Sequence, residues 1–296
     1  MYQRILVPLD GSSAAQLILP YIGEIASKFD AEVTLVSVSR VGAVDMDHLY
    51  RSYLEPITEL VQSQLKEYGA KDTSKVHSDV LLGKPAEEIL RYADESDSEL
   101  IAMASRGSSG RGPWLLGNIA AKVLRATKRP VLLIRRLADR EALKQKRLIR
   151  RILVPLDGSK TGEAAIPYTL ALSKALGAEV VLLHVIEPVI TALEAHEVSM
   201  PYPLPIIDDS QKASANNYLD SISKQLDKDV AKVSTAIASG AAAEQIIDYT
   251  ETNDIDVIAM STHGRSGIGR WVFGSITDKV LHSGDSTLLV VPATKN

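Results

Sequence analysis

Cysteine is absent from all 296 residues. That absence excludes disulfides, thiolate metal centres and cysteine nucleophiles, and it suits a reducing compartment. Long apolar runs are missing as well. None approaches the ~20 residues that a bilayer-spanning helix needs, and no secretory leader pattern precedes the first apolar stretch. A strong charge excess is also lacking, since 33 Lys and Arg face 37 Asp and Glu for a net charge of −4. Such a balance exerts no pull toward nucleic acid or an anionic membrane. The expectation is a soluble cytoplasmic protein that binds neither.

Familiar catalytic signatures are missing too. "GKPAEE" at Gly83–Glu88 has the Gly-Lys of a phosphate loop without the loop, and no HEXXH helix, nucleophile elbow or GxGxxG motif follows the first strand. The six histidines do not cluster, so no metal site and no catalytic residues are assigned. His184 ends a strand where the other half of the chain has Ser37. It is read as a partly buried strand-end histidine. For His263, position alone does not make a base.

What the chain does have is itself, twice. "RILVPLDGS" stands at Arg4–Ser12 and again at Arg151–Ser159, an offset of 147. Pro20-Tyr21 recurs as Pro167-Tyr168, and Ala31-Glu32-Val33 as Ala178-Glu179-Val180. Later the offset is 157: Gly83 matches Gly240, Ala86 matches Ala243, Ala102-Met103 matches Ala259-Met260, Trp114 matches Trp271, and Lys122-Val123-Leu124 matches Lys279-Val280-Leu281. The second half therefore carries ten extra residues, which are placed in the proline-containing stretch Glu187–Ser210. A repeat this long is a domain rather than a solenoid unit. The expected organisation is domain 1 over 1–136, a linker over 137–149 and domain 2 over 150–296. The basic stretch Arg136–Arg150 is read as a solvated connector with a short helix, in preference to a basic binding patch.

Each half alternates strand and helix five times. "ILVPL" is continuously apolar, which suits a strand buried on both faces of a parallel sheet. Ala14, Leu17, Ile18, Tyr21, Ile22 and Ile25 follow helical spacing, with Ser12 or Ser13 as the cap. "AEVTLVSV" is a second strand, followed by a helix through Leu54, Ile57, Val61, Leu65 and Tyr68. Then come a strand ending at "VLLG", a helix "PAEEILRYADE", a strand "SELIAMAS", a helix starting near Asn118 and a strand "RPVLLIR". The fold class is α/β: two tandem doubly wound domains, each with a five-stranded parallel sheet in the order 3-2-1-4-5 and helices on both faces. Ligands of such sheets lie beyond the carboxyl ends of the strands, at the switch point between strands 1 and 4.

Two loops meet there. One is "PLDGS" after strand 1. The other follows strand 4, as "MASRGSSGRGPWLLGN" at Met103–Asn118 and "MSTHGRSGIGRWVFGS" at Met260–Ser275. Nine residues separate Gly107 from Gly117 and Gly264 from Gly274, and Asn118 or Ser275 follows the second glycine at the start of a helix. Glycine lets backbone approach a ligand closely, and a helix N-terminus offers N–H groups and partial positive charge to an anion. A glycine-rich loop before a helix is also an ordinary tight connection, and "SITD" from Ser275 reads equally as a capping box. Asp10 and Asp157 suit an Asx turn as well as a ligand. Trp114 and Trp271 are read as packing their loops.

These stretches, with the turns "LGKPAEEIL" and "SGAAAEQII", resemble the universal stress protein family in its tandem two-domain form. The resemblance covers the whole chain. It implies a stress-response protein that binds ATP or another adenine nucleotide with Mg²⁺ and acts through conformation or partners, any hydrolysis being slow. Nucleotide-binding members carry Gly-x2-Gly-x9-Gly-Ser/Thr/Asn here; both copies keep the last two glycines, while Ala104 and Ser261 replace the first. A module of the same fold without nucleotide is the alternative, and a true phosphohydrolase a more distant one. Carried over, the adenosine end falls on Pro8, Leu9, Asp10 and Val38, and on Pro155, Leu156, Asp157 and Val185, with Met103 and Met260 beside them. The phosphates fall on Arg106, Gly107, Gly117 and Asn118, and on His263, Gly264, Arg265, Gly274 and Ser275. Arg106 stands for His263 and Ser108 for Arg265, so the second site is expected to bind more tightly. The family also implies pairing through strand 5, here between the two halves as an intramolecular pseudo-dimer. Association of two chains into a homodimer is left open.

Overall fold

The computed structural model describes residues 1–39, 46–105, 116–135, 140–187, 209–226, 232–263 and 273–293. The first half runs β1 (Arg4–Pro8), α1 (Leu19–Phe29), β2 (Glu32–Ser39), α2 (Met46–Glu67), β3 (Val76–Leu82), α3 (Pro85–Glu95), β4 (Leu100–Ala104), α4 (Asn118–Ala126) and β5 (Val131–Ile134). After α5 (Arg140–Gln145) the second half repeats the series: β6 (Arg151–Pro155), α6 (Ile166–Leu176), β7 (Glu179–Ile186), α7 (Asp209–Leu226), β8 (Val233–Ser239), α8 (Ala242–Thr252), β9 (Val257–Ser261), α9 (Ser275–His282) and β10 (Thr287–Val291).

All ten strands form one sheet, in the order β3-β2-β1-β4-β5-β10-β9-β6-β7-β8. Within each half the order is 3-2-1-4-5 and the pairing is parallel. The halves meet where β10 pairs antiparallel with β5, Leu288 opposite Leu133 and Val290 opposite Val131. The apolar runs explain this placement. β5 and β10 are buried along their whole length, so neither is left as an open edge. Helices α1, α2, α6 and α7 cover one face over a core that includes Ile22, Leu54, Leu172 and Leu219. Helices α3, α4, α8 and α9 cover the other, over Ile89, Val123, Ile246 and Val280. Each of these apolar layers draws residues from both halves.

Pseudo-symmetry reaches single carboxylates. Glu99 accepts from the N–H of Gln3 at 2.9 Å, just before β1. Asp256, its counterpart, accepts from the N–H groups of Arg150 and Arg151 at 2.7 and 3.0 Å, just before β6. In each half the acid tethers the start of the central strand to the turn before its neighbour.

Three expectations need correction. The first helix does not run from Ser12 or Ser13. A 3-10 turn spans Ala15–Ile18 and the α-helix starts at Leu19. Pro20 lacks the N–H that a continuous α-helix would direct to Gln16, so the approach tightens into a 3-10 turn. Ser12 Oγ accepts from the N–H of Ala15 at 3.1 Å and so caps that turn instead.

The connector is not simply solvated. Ala142, Leu148 and Ile149 are buried, and the N–H groups of Leu148 and Ile149 donate to the Glu24 carboxylate of α1 at 3.0 and 3.2 Å. Apolar residues at its end serve as entry to β6.

The ten extra residues are a net figure. Tyr53-Leu54 of α2 corresponds to Tyr218-Leu219 of α7, an offset of 165, so the second half is 18 residues longer before this helix and 8 shorter after it. "YLEPI" and "YLDSI" are the matching stretches.

Candidate functional site

The carboxyl ends of β6, β7 and β9 open into a cavity of about 730 Å³. Pro155, Leu156 and Asp157 line it from the end of β6, and His184 and Val185 from β7. Met260 and Ser261 come from the end of β9 and His263 from just beyond it, and Gly274, Ser275 and Thr277 from the cap and first turn of α9. The structure thus brings together all the expected second-half residues that it describes. Gly264 and Arg265 lie outside the described residues, as do Arg106, Gly107, Trp114 and Trp271. In the first half, Pro8, Leu9 and Asp10 follow the same path from β1, Val38 lies near the end of β2, Met103 in β4, and Gly117 and Asn118 at the start of α4.

Local chemistry accounts for each wall. In both "PLDGS" turns the Asp is an Asx-turn acceptor. Asp10 Oδ1 takes the N–H and hydroxyl of Ser12 at 3.1 and 2.6 Å, and Asp157 Oδ1 takes those of Ser159 at 3.0 and 2.6 Å. The following Gly11 and Gly158 have φ of 83° and 82°, which an L side chain adopts only with strain. The turn therefore presents Leu-Asp backbone to the crevice at a set angle. The Leu carbonyl is held in turn by strand 2: Ser37 Oγ donates to Leu9 O at 2.8 Å, and His184 Nδ1 lies 2.8 Å from Leu156 O.

The glycine before each last helix is the cap, rather than the polar residue after it. Gly117 and Gly274 are the N-caps, extended at φ −62° and −58°, with no side-chain cap on either helix. Asn118 and Ser275 are the first helical residues. The capping-box reading of Ser275 fails because the chain turns one residue earlier. Each glycine is tied back to its strand end, Gly117 N–H to Ser105 O at 2.8 Å and Gly274 N–H to Thr262 O at 2.9 Å. Behind them Thr277 Oγ1 donates to Ser261 O at 3.0 Å. The first turn of α9 faces the cavity without a side-chain acceptor on its N–H groups, which is an arrangement that suits an anion.

His263 stands beside that turn. Its Nδ1 lies 3.0 Å from Thr262 Oγ1, while its Nε2 is buried with no hydrogen-bond partner among the described residues. A buried polar atom of this kind costs about 1–3 kcal/mol unless something satisfies it. Ser261 hydroxyl bonds the His263 carbonyl, so the residue standing where the family has glycine braces its own loop.

Two tyrosines were not anticipated. Tyr218 of α7 lines the cavity, donates to Glu163 Oε1 at 3.2 Å and packs edge-on to His184 with centroids 6.0 Å apart. Its counterpart Tyr53 accepts from Gln16 Nε2 at 3.4 Å. Burial above all pushes the Tyr53 hydroxyl above its ordinary value, and the Asp10 charge adds to this. The shared "YL" before an acid would have revealed both. Among the described residues no cluster of three metal-binding side chains occurs, and no helix is long and apolar enough to cross a membrane.

Comparison with known proteins agrees with this geometry. The model of the universal stress protein family matches residues 1–135 and 148–292. A universal stress protein of Methanocaldococcus jannaschii is 31% identical over 147 residues, covering 46% of this chain and 84% of that protein. One from Synechocystis sp. is 24% identical over 309 residues, covering 94% of this chain and 96% of its own. The crystal structure of a universal stress protein from Archaeoglobus fulgidus superposes with a TM-score of 0.69 at 22% identity, over 99% of this chain and 100% of that one. With both halves matched and the fold shared end to end, the chain belongs to the universal stress protein family.

Proposed function

We propose that this chain is a stress-response protein that binds ATP or a related adenine nucleotide at the carboxyl ends of its strands, with Mg²⁺ on the phosphates. It acts through conformation or through partners in the cytoplasm. The units are 1–136 and 150–296 with 137–149 between them, each with its own site, and β5 with β10 makes the chain a built-in dimer.

The observation that carries this reading is the buried, unpartnered Nε2 of His263 beside the uncapped first turn of α9. The helix turn asks for an anionic group, and Nε2, protonated in the tautomer whose Nδ1 accepts from the Thr262 hydroxyl, asks for an acceptor oxygen. The cavity volume of about 730 Å³ falls within the ~300–1,000 Å³ of small-molecule sites. Pro155–Asp157, Val185 and Met260 supply apolar and backbone surface for the nucleoside. His263, Gly274 and Ser275 lie where phosphates would meet the helix dipole. The same placement in the first half falls to Pro8–Asp10, Val38, Met103, Gly117 and Asn118. Hydrolysis is expected to be slow and incidental.

The test begins with purified protein that is heat-denatured, its supernatant examined for adenine nucleotide by chromatography and mass spectrometry. Saturating Mg-ATP at about 100 times Kd should raise stability by ~2.7 kcal/mol. Gly274→Asp places a carboxylate at a helix N-cap, where it suits the helix but repels phosphate. It should weaken binding more than Gly117→Asp, because the second site is the tighter one. Equal losses would remove that asymmetry. No released nucleotide and no melting shift would leave the second reading, a binding module without nucleotide. That reading is favoured by the side chains of Ala104 and Ser261 where the family motif has glycine.

A further inference from the structure

The two halves differ at the end of strand 2, where His184 stands in place of Ser37. The anion-binding turn claims the phosphates at one end of the second-half cavity, so a nucleoside base belongs at the other, among His184, Tyr218 and the end of β7.

His184 lines that end. Its Nδ1 lies 2.8 Å from Leu156 O. A carbonyl oxygen only accepts, so Nδ1 carries the proton, and the neutral ring then has Nε2 as an acceptor. The imidazole geometry turns Nε2 away from Leu156 O. Tyr218 packs against the ring edge-on, but its hydroxyl proton goes to Glu163, which Lys160 holds at 2.7 Å. In the first half, Ser37 performs the tethering task alone: its hydroxyl donates to Leu9 O, it is fully buried, and it offers no ring nitrogen.

We propose that His184 Nε2 is a specificity-determining acceptor in the second site. It selects a base that carries an exocyclic amino donor, so this site prefers a 6-amino purine nucleotide over its 6-oxo counterpart, while the Ser37 site lacks that preference. The inference rests on the adenine-nucleotide reading of the cavity and adds the group that distinguishes the base.

The experiment is calorimetric titration of the full chain with Mg-ATP and with Mg-ITP, in which a 6-oxo group and an N1–H replace the 6-amino group and the N1 acceptor. One hydrogen bond predicts about a ten-fold preference for ATP at one of two sites. His184→Asn keeps a side-chain N–H for Leu156 O and leaves no acceptor at the Nε2 position, and His184→Ser installs the first-half residue. Both should bring the preference close to unity with the fold intact by circular dichroism. A second measurement needs no variant: the Nε2 resonance of His184 in ¹⁵N-labelled protein should move on adding ATP and stay in place with ITP. A preference that persists in both variants, an unaltered chain without preference, or an Nε2 resonance unmoved by ATP overturns the proposal. If neither nucleotide binds, the adenine-nucleotide reading falls as well. Binding of ATP without discrimination overturns this inference alone.

Discussion

The two halves meet the same local needs with different side chains, and they part where each must meet the other. Glu99 and Asp256 tether the central strands alike. Ser37 and His184 hold the same carbonyl, and Tyr53 with Gln16 answers Tyr218 with Glu163. At the junction two polar contacts break the symmetry. Glu24, which receives the connector, has Ala171 as its counterpart. Arg135 has Pro292. Duplication preserves what the domain needs to fold, and it joins the halves through equivalent strands, β5 and β10, while Glu24 and Arg135 add junction contacts that occur in a single copy.

Glu24 gives the sharpest way to break that contrast. Its side chain is buried and accepts from the N–H groups of Leu148 and Ile149. Burial is the main force on its pKa, raising it from 4.5 to about 7, with Asp256 adding and the two N–H groups and Arg147 opposing. A carboxyl group raised on folding favours the folded state while protonated. Its contribution is full below about 4.5 and is lost as pH rises through about 7. The effect is on the order of 3 kcal/mol. Urea denaturation at pH 5 and pH 8 should show the chain less stable at the higher pH, and Glu24→Gln should flatten the difference. Parallel pH curves for the two proteins would sink the assignment. Ala171 in the same place on α6 contributes no such dependence.

Arg135 tests the junction from the other side. It follows β5 in the first half, and its guanidinium donates to carbonyls at the end of α9 in the second: Gly284 at 2.8 Å, Val280 and Ser283 at 3.3 Å, and Leu281. A cation at a helix C-terminus gains from the dipole as well as from the hydrogen bonds. Arg125 of α4 also lies 5.7 Å from the ring centroid of Phe273, which enters α9 at its other end. Arg135→Ala should lower stability by about 2 kcal/mol, with Arg135→Lys recovering part of it. A loss below ~0.5 kcal/mol in chemical denaturation would show that β5–β10 pairing and the shared apolar layers suffice to join the halves.

Much of this architecture is legible in the sequence for physical reasons that hold locally. "ILVPL" has no alternation because both faces of β1 are covered, and the order 3-2-1-4-5 follows from buried strands joined by helices. "PAEEILRYADE" runs from a first-turn proline to its last residue as α3. In the second half the "PLDG" turn and Gly274 at the start of α9 line one cavity, because the topology leaves them one crevice. The polar details resist reading because they are tertiary. Glu24 looks like any helix acid until the connector descends on it. Tyr53 and Tyr218 share an offset of 165 that the flanking offsets of 147 and 157 conceal. Gly117 and Gly274, not the polar residues after them, are caps because the chain's turn into the helix is set by bonds back to Ser105 and Thr262.

The smallest expected difference lies at the ends of α1 and α6, where the halves use different residues in one left-handed position. Asp30 caps α1 at φ 49°, with its N–H bonded to Ala26 O. Gly177 caps α6 at φ 66°, with its N–H bonded to Ser173 O. Asp tolerates this conformation better than most residues, and glycine adopts it freely. A Cβ at Gly177 would come no closer than 4.0 Å to the Arg147 guanidinium, so the cost of a side chain there is one of backbone conformation. Gly177→Ala should lose about 1 kcal/mol. Asp30→Gly relieves the conformation but gives up the exposed ion pair with Lys75 at 2.6 Å, which is worth little, so it should stay within ~0.5 kcal/mol of the unaltered chain. Thermal and urea unfolding of the two variants side by side decide the point. A costly Asp30→Gly would mean that the Lys75 pair, and not backbone tolerance, keeps an aspartate in the first half where the second has glycine.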